Sequence, residues 1–235
     1  MTSKYNAPSS IAIANTHLNR RDFLRGSSVA FGASLLAACS PSTRKALPGA
    51  ETISPFASMY GAMPNERFPL PAINLKKIDS KFLRRQVDYR TDERVGTLVV
   101  DTKNFYLYLV EENGKAMRYG VGLGRAGFEW AGRAYVARKA SWPKWTPPTE
   151  MIARQPELEK WSWKNGGMPG GLQNPLGARA LYIYQDGRDT LYRLHGTAET
   201  WSIGKSVSSG CVRLLNQDII DLHSRVPSQS PIVVL

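Results

Sequence analysis

Cys211 and His195 are the residues of this chain whose chemistry and setting suit nucleophilic catalysis. A thiol attacks as its thiolate, and at a reference pKa of ~8.5 only a small fraction is ionised at neutral pH, so a base must stand nearby. His195, sixteen residues before the cysteine, is the obvious base. Ser208, Ser209 and Gly210 lead into the thiol. Their small side chains let the backbone turn tightly and aim N–H groups at a carbonyl under attack, as an oxyanion hole requires, and would leave Cys211 exposed on a turn. A lone cysteine is ordinarily a buried small hydrophobe, and a histidine ending an apolar run is ordinarily a satisfied core residue. The combination of thiol, imidazole and glycine turn favours the catalytic reading over either.

The elements that must position these residues read mostly as strands. Gly96 to Asp101, Phe105 to Val110 and Lys115 to Val121 are rich in β-branched and aromatic residues, and Asn113-Gly114 between the last two is a hairpin signal. Arg133 to Ala140, Leu181 to Gln185 and Thr190 to His195 follow, the last two around Asp186-Gly187, so His195 ends a strand at the rim of a sheet. Between Ser141 and Gly177, prolines, glycines and tryptophans dominate, with a short helix near Thr149 to Gln155. A loop region this long is usually functional, and its aromatics suit a peptide or sugar groove. Two of Trp142, Trp145, Trp161 and Trp163 are expected to pack beneath the loop instead. Asn216 is placed to cap a helix reaching Arg225, with Asp218 in its first turn, Ile219, Leu222 and Val226 on one face, and His223 in solvent. Pro231 to Leu235 closes the chain as a strand.

With 42% hydrophobic and 21% charged residues among 235, the chain is ordinary globular material for one good-sized domain plus extras. The formal charge is +12, of which +3 lies in residues 1–38. The positive residues are scattered without a helical or RNP-like basic motif, which argues against nucleic acid as partner; an anionic wall polymer and a basic surface that serves only solubility suit the charge equally. Two cysteines leave little room for a disulfide framework, and the histidines and cysteines lack zinc spacing, so no metal is expected.

The first 38 residues read as a signal peptide of the twin-arginine type. Asn19-Arg20-Arg21-Asp22-Phe23-Leu24-Arg25 precedes a 13-residue apolar run, Gly26 to Ala38, too short for the ~20 residues of a membrane span. Leu36-Ala37-Ala38-Cys39 resembles a lipobox, in which cleavage exposes Cys39 for acylation and anchors the chain to a membrane; ordinary cleavage after small residues is the competing reading. Residues 39–75, rich in Pro, Ser, Ala and Gly, read as a flexible tether, and 76–94 as a short ordered lead-in.

The run from His195-Gly196-Thr197, through Ile203-Gly204, to Ser208-Ser209-Gly210-Cys211-Val212-Arg213 and Asn216 resembles the signature of the L,D-transpeptidase (YkuD-type) catalytic domain. Further matches at Gly96 to Asp101, Tyr119 to Gly124, Pro143 to Pro148 and Asn174 to Leu181 extend the resemblance over residues 95–235. Ser209 stands where many members have histidine, and Trp130-Ala131 where many have Thr-Pro.

The resemblance implies a mainly β domain, a mixed β barrel or sandwich with short helices, and a periplasmic peptidoglycan L,D-transpeptidase without cofactor. Cys211 would attack the carbonyl at the L-centre of diaminopimelate in a tetrapeptide stem and hold the stem as a thioester, with His195 as base and the Gly196 carbonyl orienting it. Ser209 and Gly210 would shape the oxyanion turn, and Arg213 would meet a substrate carboxylate or clamp that turn. The acceptor would be an amine, on another stem peptide or on an envelope protein; with water the enzyme would be an L,D-carboxypeptidase. A noncatalytic wall-binding module is the rival from another class, and the intact thiol and imidazole argue against it.

The leader yields a direct test. With Cys39 acylated, mature protein begins at Cys39 and partitions into detergent, and Cys39→Ala releases it to the aqueous phase. Wild-type protein wholly in the aqueous phase, with another N-terminus by sequencing, rejects the anchor.

Overall fold

The computed structural model describes residues 55–124, 131–208 and 211–235. These belong to one unit, Glu51–Leu235. The signal peptide, Cys39 and the turn residues Ser209 and Gly210 lie outside the described residues.

Both hairpins form where the sequence signals them. Asn113 and Gly114 take φ of 58° and 67°, and Asp186 and Gly187 take 50° and 76°, the left-handed pairs whose twist matches the strands they join. The first turn links β3 (Tyr106–Val110) to β4 (Lys115–Gly120), and the second β7 (Arg179–Gln185) to β8 (Arg188–Thr197). β2 (Leu98–Asp101), β6 (Gly132–Ser141), β11 (Pro231–Val234), α2 (Thr149–Arg154) and α3 (Asn216–Arg225) also fall within a few residues of expectation. β1 (Arg85–Asp88), β5 (Gly122–Gly124), β9 (Ser206–Ser208) and β10 (Val212–Leu215) are too short to show a period in the sequence.

All eleven strands described join one mixed sheet, in the order β1-β4-β3-β2-β11-β6-β7-β8-β10-β5-β9. β2 and β11, β8 and β10, and β5 and β9 pair in parallel. β4 is second from one end and β5 second from the other, yet Val121 alone separates them in the chain. The sheet therefore rolls until its ends approach, as in a barrel. Leu98, Leu107, Leu181, Ile183, Leu194 and Leu214, each at most 1% exposed, fill the interior. Ile219 and Leu222 of α3, with Val226 at its C-cap, belong to the same core at full burial. Each such side chain stabilises the fold by roughly 1.5 to 3 kcal/mol.

The tether reading fails over its C-terminal part. From α1 (Pro55–Met59) onward the chain is packed: Tyr60 is 1% exposed and Leu70 4%. A few large side chains anchor a stretch whose average composition resembles a linker. The Tyr60 hydroxyl accepts the Arg84 N–H at 2.6 Å and donates to Asp218 Oδ2 at 3.2 Å. Arg84 itself lies 3.2 Å from Asp221 and 3.7 Å from Asp218. Glu66 accepts a two-pronged grip from Arg179, at 2.6 and 3.0 Å, and the Trp142 indole N–H at 2.9 Å. The lead-in is partly sheet, because β1 pairs with β4.

Two expectations for α3 need correction. The N-cap is Leu215, without a side-chain cap, and Asn216 is the first helical residue. Asp218 stands in the first turn as expected and is fully buried there; burial pushes its carboxyl up to about 7, with Arg84 pulling the other way. His223 is half-buried and not solvated, and burial with the Lys139 and Arg179 charges pushes it down to about 4.

Arg84→Ala strands the Asp218 carboxylate and is expected to cost about 3 kcal/mol at pH 8. Because the raised carboxyl takes up a proton below about 7, the loss shrinks at pH 5. Urea unfolding at the two pH values checks this, and equal losses would remove the charge from the explanation.

Candidate active site

β8 and β10 run side by side in parallel, with Leu194 opposite Val212 and His195 opposite Arg213. Leu194, Val212 and Leu214 turn into the core. Side chains alternate along a strand, so Arg193, His195, Cys211 and Arg213 face the opposite side. Cys211 immediately precedes β10, on the diagonal from His195. Both residues line a cavity of about 420 Å³ together with Trp145, Met151, Leu191 and Arg213. Cys211 is half-buried there and not fully exposed as a turn residue would be.

His195 is 4% exposed and its Nδ1 lies 2.7 Å from the Gly196 carbonyl oxygen. A carbonyl only accepts, so Nδ1 carries the proton and Nε2 keeps its lone pair. Burial pushes the imidazole down to about 4, opposed by the Gly196 hydrogen bond and helped by the charges of Arg213 and Arg193. Burial pushes the Cys211 thiol up, against a backbone hydrogen bond from Arg193 and the charges of Arg193 and Arg213. The pair therefore rests as neutral thiol and neutral imidazole at pH 7, with the base ready to accept.

Arg213 donates Nη1–H to Glu199 Oε2 at 2.5 Å while also bordering the cavity. Trp145 lines the cavity, Trp142 is buried, Trp161 is half-buried and Trp163 is 73% exposed.

The sequence names Asn216 without finding its contact. Its Oδ1 accepts the Ala178 N–H at 2.9 Å, and a Cβ on Gly196 or Gly177 would come within 2.2 or 2.4 Å of that oxygen. The amide is wedged between the residue that orients His195 and the start of β7. Only glycine at 196 leaves that space, and no spacing rule in the sequence announces it.

The model of the YkuD L,D-transpeptidase catalytic domain matches residues 96–234. The chain belongs to this family. Among its L,D-transpeptidase relatives, the probable L,D-transpeptidase ErfK/SrfK of Escherichia coli K12 is 32% identical over 185 residues, 75% of this chain and 57% of that protein. The probable L,D-transpeptidase YbiS of the same organism is 38% identical over 117 residues, 46% of this chain and 33% of that protein. The chain thus spans only about a third to a little over half of the curated relatives it matches. Among solved structures, a Brucella melitensis protein described as a probable carnitine operon oxidoreductase is 44% identical, covering 69% of this chain and 99% of its own at a TM-score of 0.47. That description is of the Brucella protein alone. An L,D-transpeptidase from Mycobacterium smegmatis is 18% identical, covering 59% and 58%, with a TM-score of 0.41.

Asn216→Ala leaves the buried Ala178 N–H without a partner, an expected cost of about 1 to 3 kcal/mol in chemical denaturation. A loss within error would show that the amide only fills space.

Proposed function

We propose that this protein is a periplasmic peptidoglycan L,D-transpeptidase that works by ping-pong acyl transfer through Cys211. The observation that carries the reading is the shared cavity of Cys211 and a neutral, Nδ1-protonated His195. Nε2 takes the thiol proton as Sγ attacks the carbonyl at the L-centre of diaminopimelate in a tetrapeptide stem. The tetrahedral intermediate collapses to a thioester and expels the terminal D-alanine, whose amine leaves with the proton from His195. An acceptor amine, on a second stem or on an envelope protein, then attacks the thioester. His195 removes the amine's proton and returns it to the departing thiolate.

The amides of Gly210 and Cys211 would hold the oxyanion, at about 3 kcal/mol per donor. Export through the twin-arginine leader and a lipid on Cys39 would deliver the enzyme to the wall. Residues 39–54, the rest of the expected tether, lie outside the described residues.

The test is acylation by a carbapenem, followed by intact mass. Cys211→Ala gives no adduct, and His195→Gln slows acylation by about 100-fold or more. A base with its pKa lowered to about 4 stays competent as the pH falls, so the wild-type rate holds from pH 8 to 5 and declines only near 4. A decline centred near 6.5 would return His195 to an ordinary solvated histidine. The unfolded chain protonates this residue below about 6.5 while the fold does not, so stability falls from there towards pH 4. Near-UV circular dichroism at each pH separates that loss from the chemistry.

A further inference from the structure

Two opposite charges, both on exposed side chains, border the cavity of Cys211. Glu150 and Arg154 stand four residues apart on α2 and both line the cavity. Glu and Arg at this spacing ordinarily pair with each other. Among the described residues neither side chain makes an ion pair or a hydrogen bond.

Leu191, in β8, contributes an apolar side chain to the same cavity and is 73% exposed, at a φ of 63° that bulky residues avoid. Its conformation is held from below. Asp189 Oδ1 accepts the Leu191 N–H at 2.9 Å, and Arg193 fixes the Asp189 carboxylate with bonds of 2.7 and 2.8 Å. An exposed leucine kept in a disfavoured conformation at a cavity has no packing role. With Met151, Trp145 and Pro148 it gives the cavity an apolar lining beside the exposed acid and base. The ligand that complements this set is a methylene chain whose end carries both an ammonium and a carboxylate.

We propose that Glu150 and Arg154 read the free amino-acid end of the donor's third-residue side chain, Glu150 taking the ammonium and Arg154 the carboxylate, with the methylenes against Met151 and Leu191. The inference rests on the transpeptidase reading. It makes the enzyme selective for a diaminodicarboxylic donor over one in which lysine, with no carboxylate, or an ω-amide takes that place. Arg suits the carboxylate because its planar fork binds both oxygens.

The experiment compares acyl-enzyme formation on the purified protein from three tetrapeptide stems, with meso-diaminopimelate, its ω-amide or lysine at the third position. Carbapenem acylation serves as the measure that ignores this side chain. The wild type is expected to favour the free diaminopimelate stem in kcat/KM by about fivefold, the size of one charge contact at a solvent-exposed rim. Arg154→Gln brings the ratio of diaminopimelate to lysine stem to near one. Glu150→Gln lowers both stems and leaves their ratio intact, since both carry the ammonium. No preference in the wild type overturns the inference, and so does an Arg154→Gln effect equal on all three stems, which would mark binding of a main-chain carboxylate. Carbapenem acylation without reaction of any stem also overturns it. Failure of the carbapenem to acylate Cys211 would instead sink the transpeptidase reading.

Discussion

The parallel pairing of β8 with β10 is the constraint on which the site depends. A sheet alternates its side chains strictly, so a slip of one residue between these strands would turn Cys211 or His195 into the core. Leu194, Val212 and Leu214 prevent that slip, because each is in the barrel core and has nowhere else to bury its surface. A parallel pair also requires a crossover between its strands, and the segment from Ala198 to Cys211 supplies it. That crossover carries Glu199, the partner of Arg213, and β9, which pairs with β5. The hydrophobic core thus sets the geometry of polar groups on the other face.

Behind this pair, α3 joins the core to the polar machinery. Its apolar face fills the barrel through Ile219 and Leu222, while Asn216 at its start meets Ala178 and the Gly196 backbone. The Gly196 carbonyl in turn fixes the His195 tautomer. Residues before the barrel brace the same helix, with Tyr60 and Arg84 meeting Asp218 and Asp221 at little exposure to water. Buried ionic groups of this kind seldom add much net stability, but removing one partner is costly, so they favour a single arrangement. The stretch from Tyr60 to Arg84 is therefore part of the folded unit.

Burial also sets the electrostatics. A half-buried thiol beside a buried imidazole disfavours both charged forms, and the nearby arginines ease the thiol while opposing the imidazolium. The proton transfer proposed for catalysis then occurs only when an incoming carbonyl gives the sulfur somewhere to place its charge. Such a resting state keeps the cysteine less reactive towards stray electrophiles than a standing thiolate would be.

What the sequence determined by itself was local or was carried by family resemblance. Asn113-Gly114 and Asp186-Gly187 made their hairpins because those residues tolerate left-handed backbone, and β-branched runs such as Leu98 to Asp101 made strands for reasons contained in the run. The cysteine, the histidine and the glycines near them were legible as a motif, and the family match over residues 96–234 agrees with it. Tertiary structure alone decided the rest. Tyr60, Glu66 and Arg84 become anchors only because partners more than a hundred residues away receive them, which average composition cannot reveal. Asn216 reads locally as a cap, but Ala178, from a distant part of the chain, captures its side chain. Glu150 and Arg154 are exposed on a six-residue helix, and only the fold places them at the rim of the cavity of Cys211. Local preference is settled by neighbours in sequence, whereas burial and charge depend on which distant residues the sheet brings together.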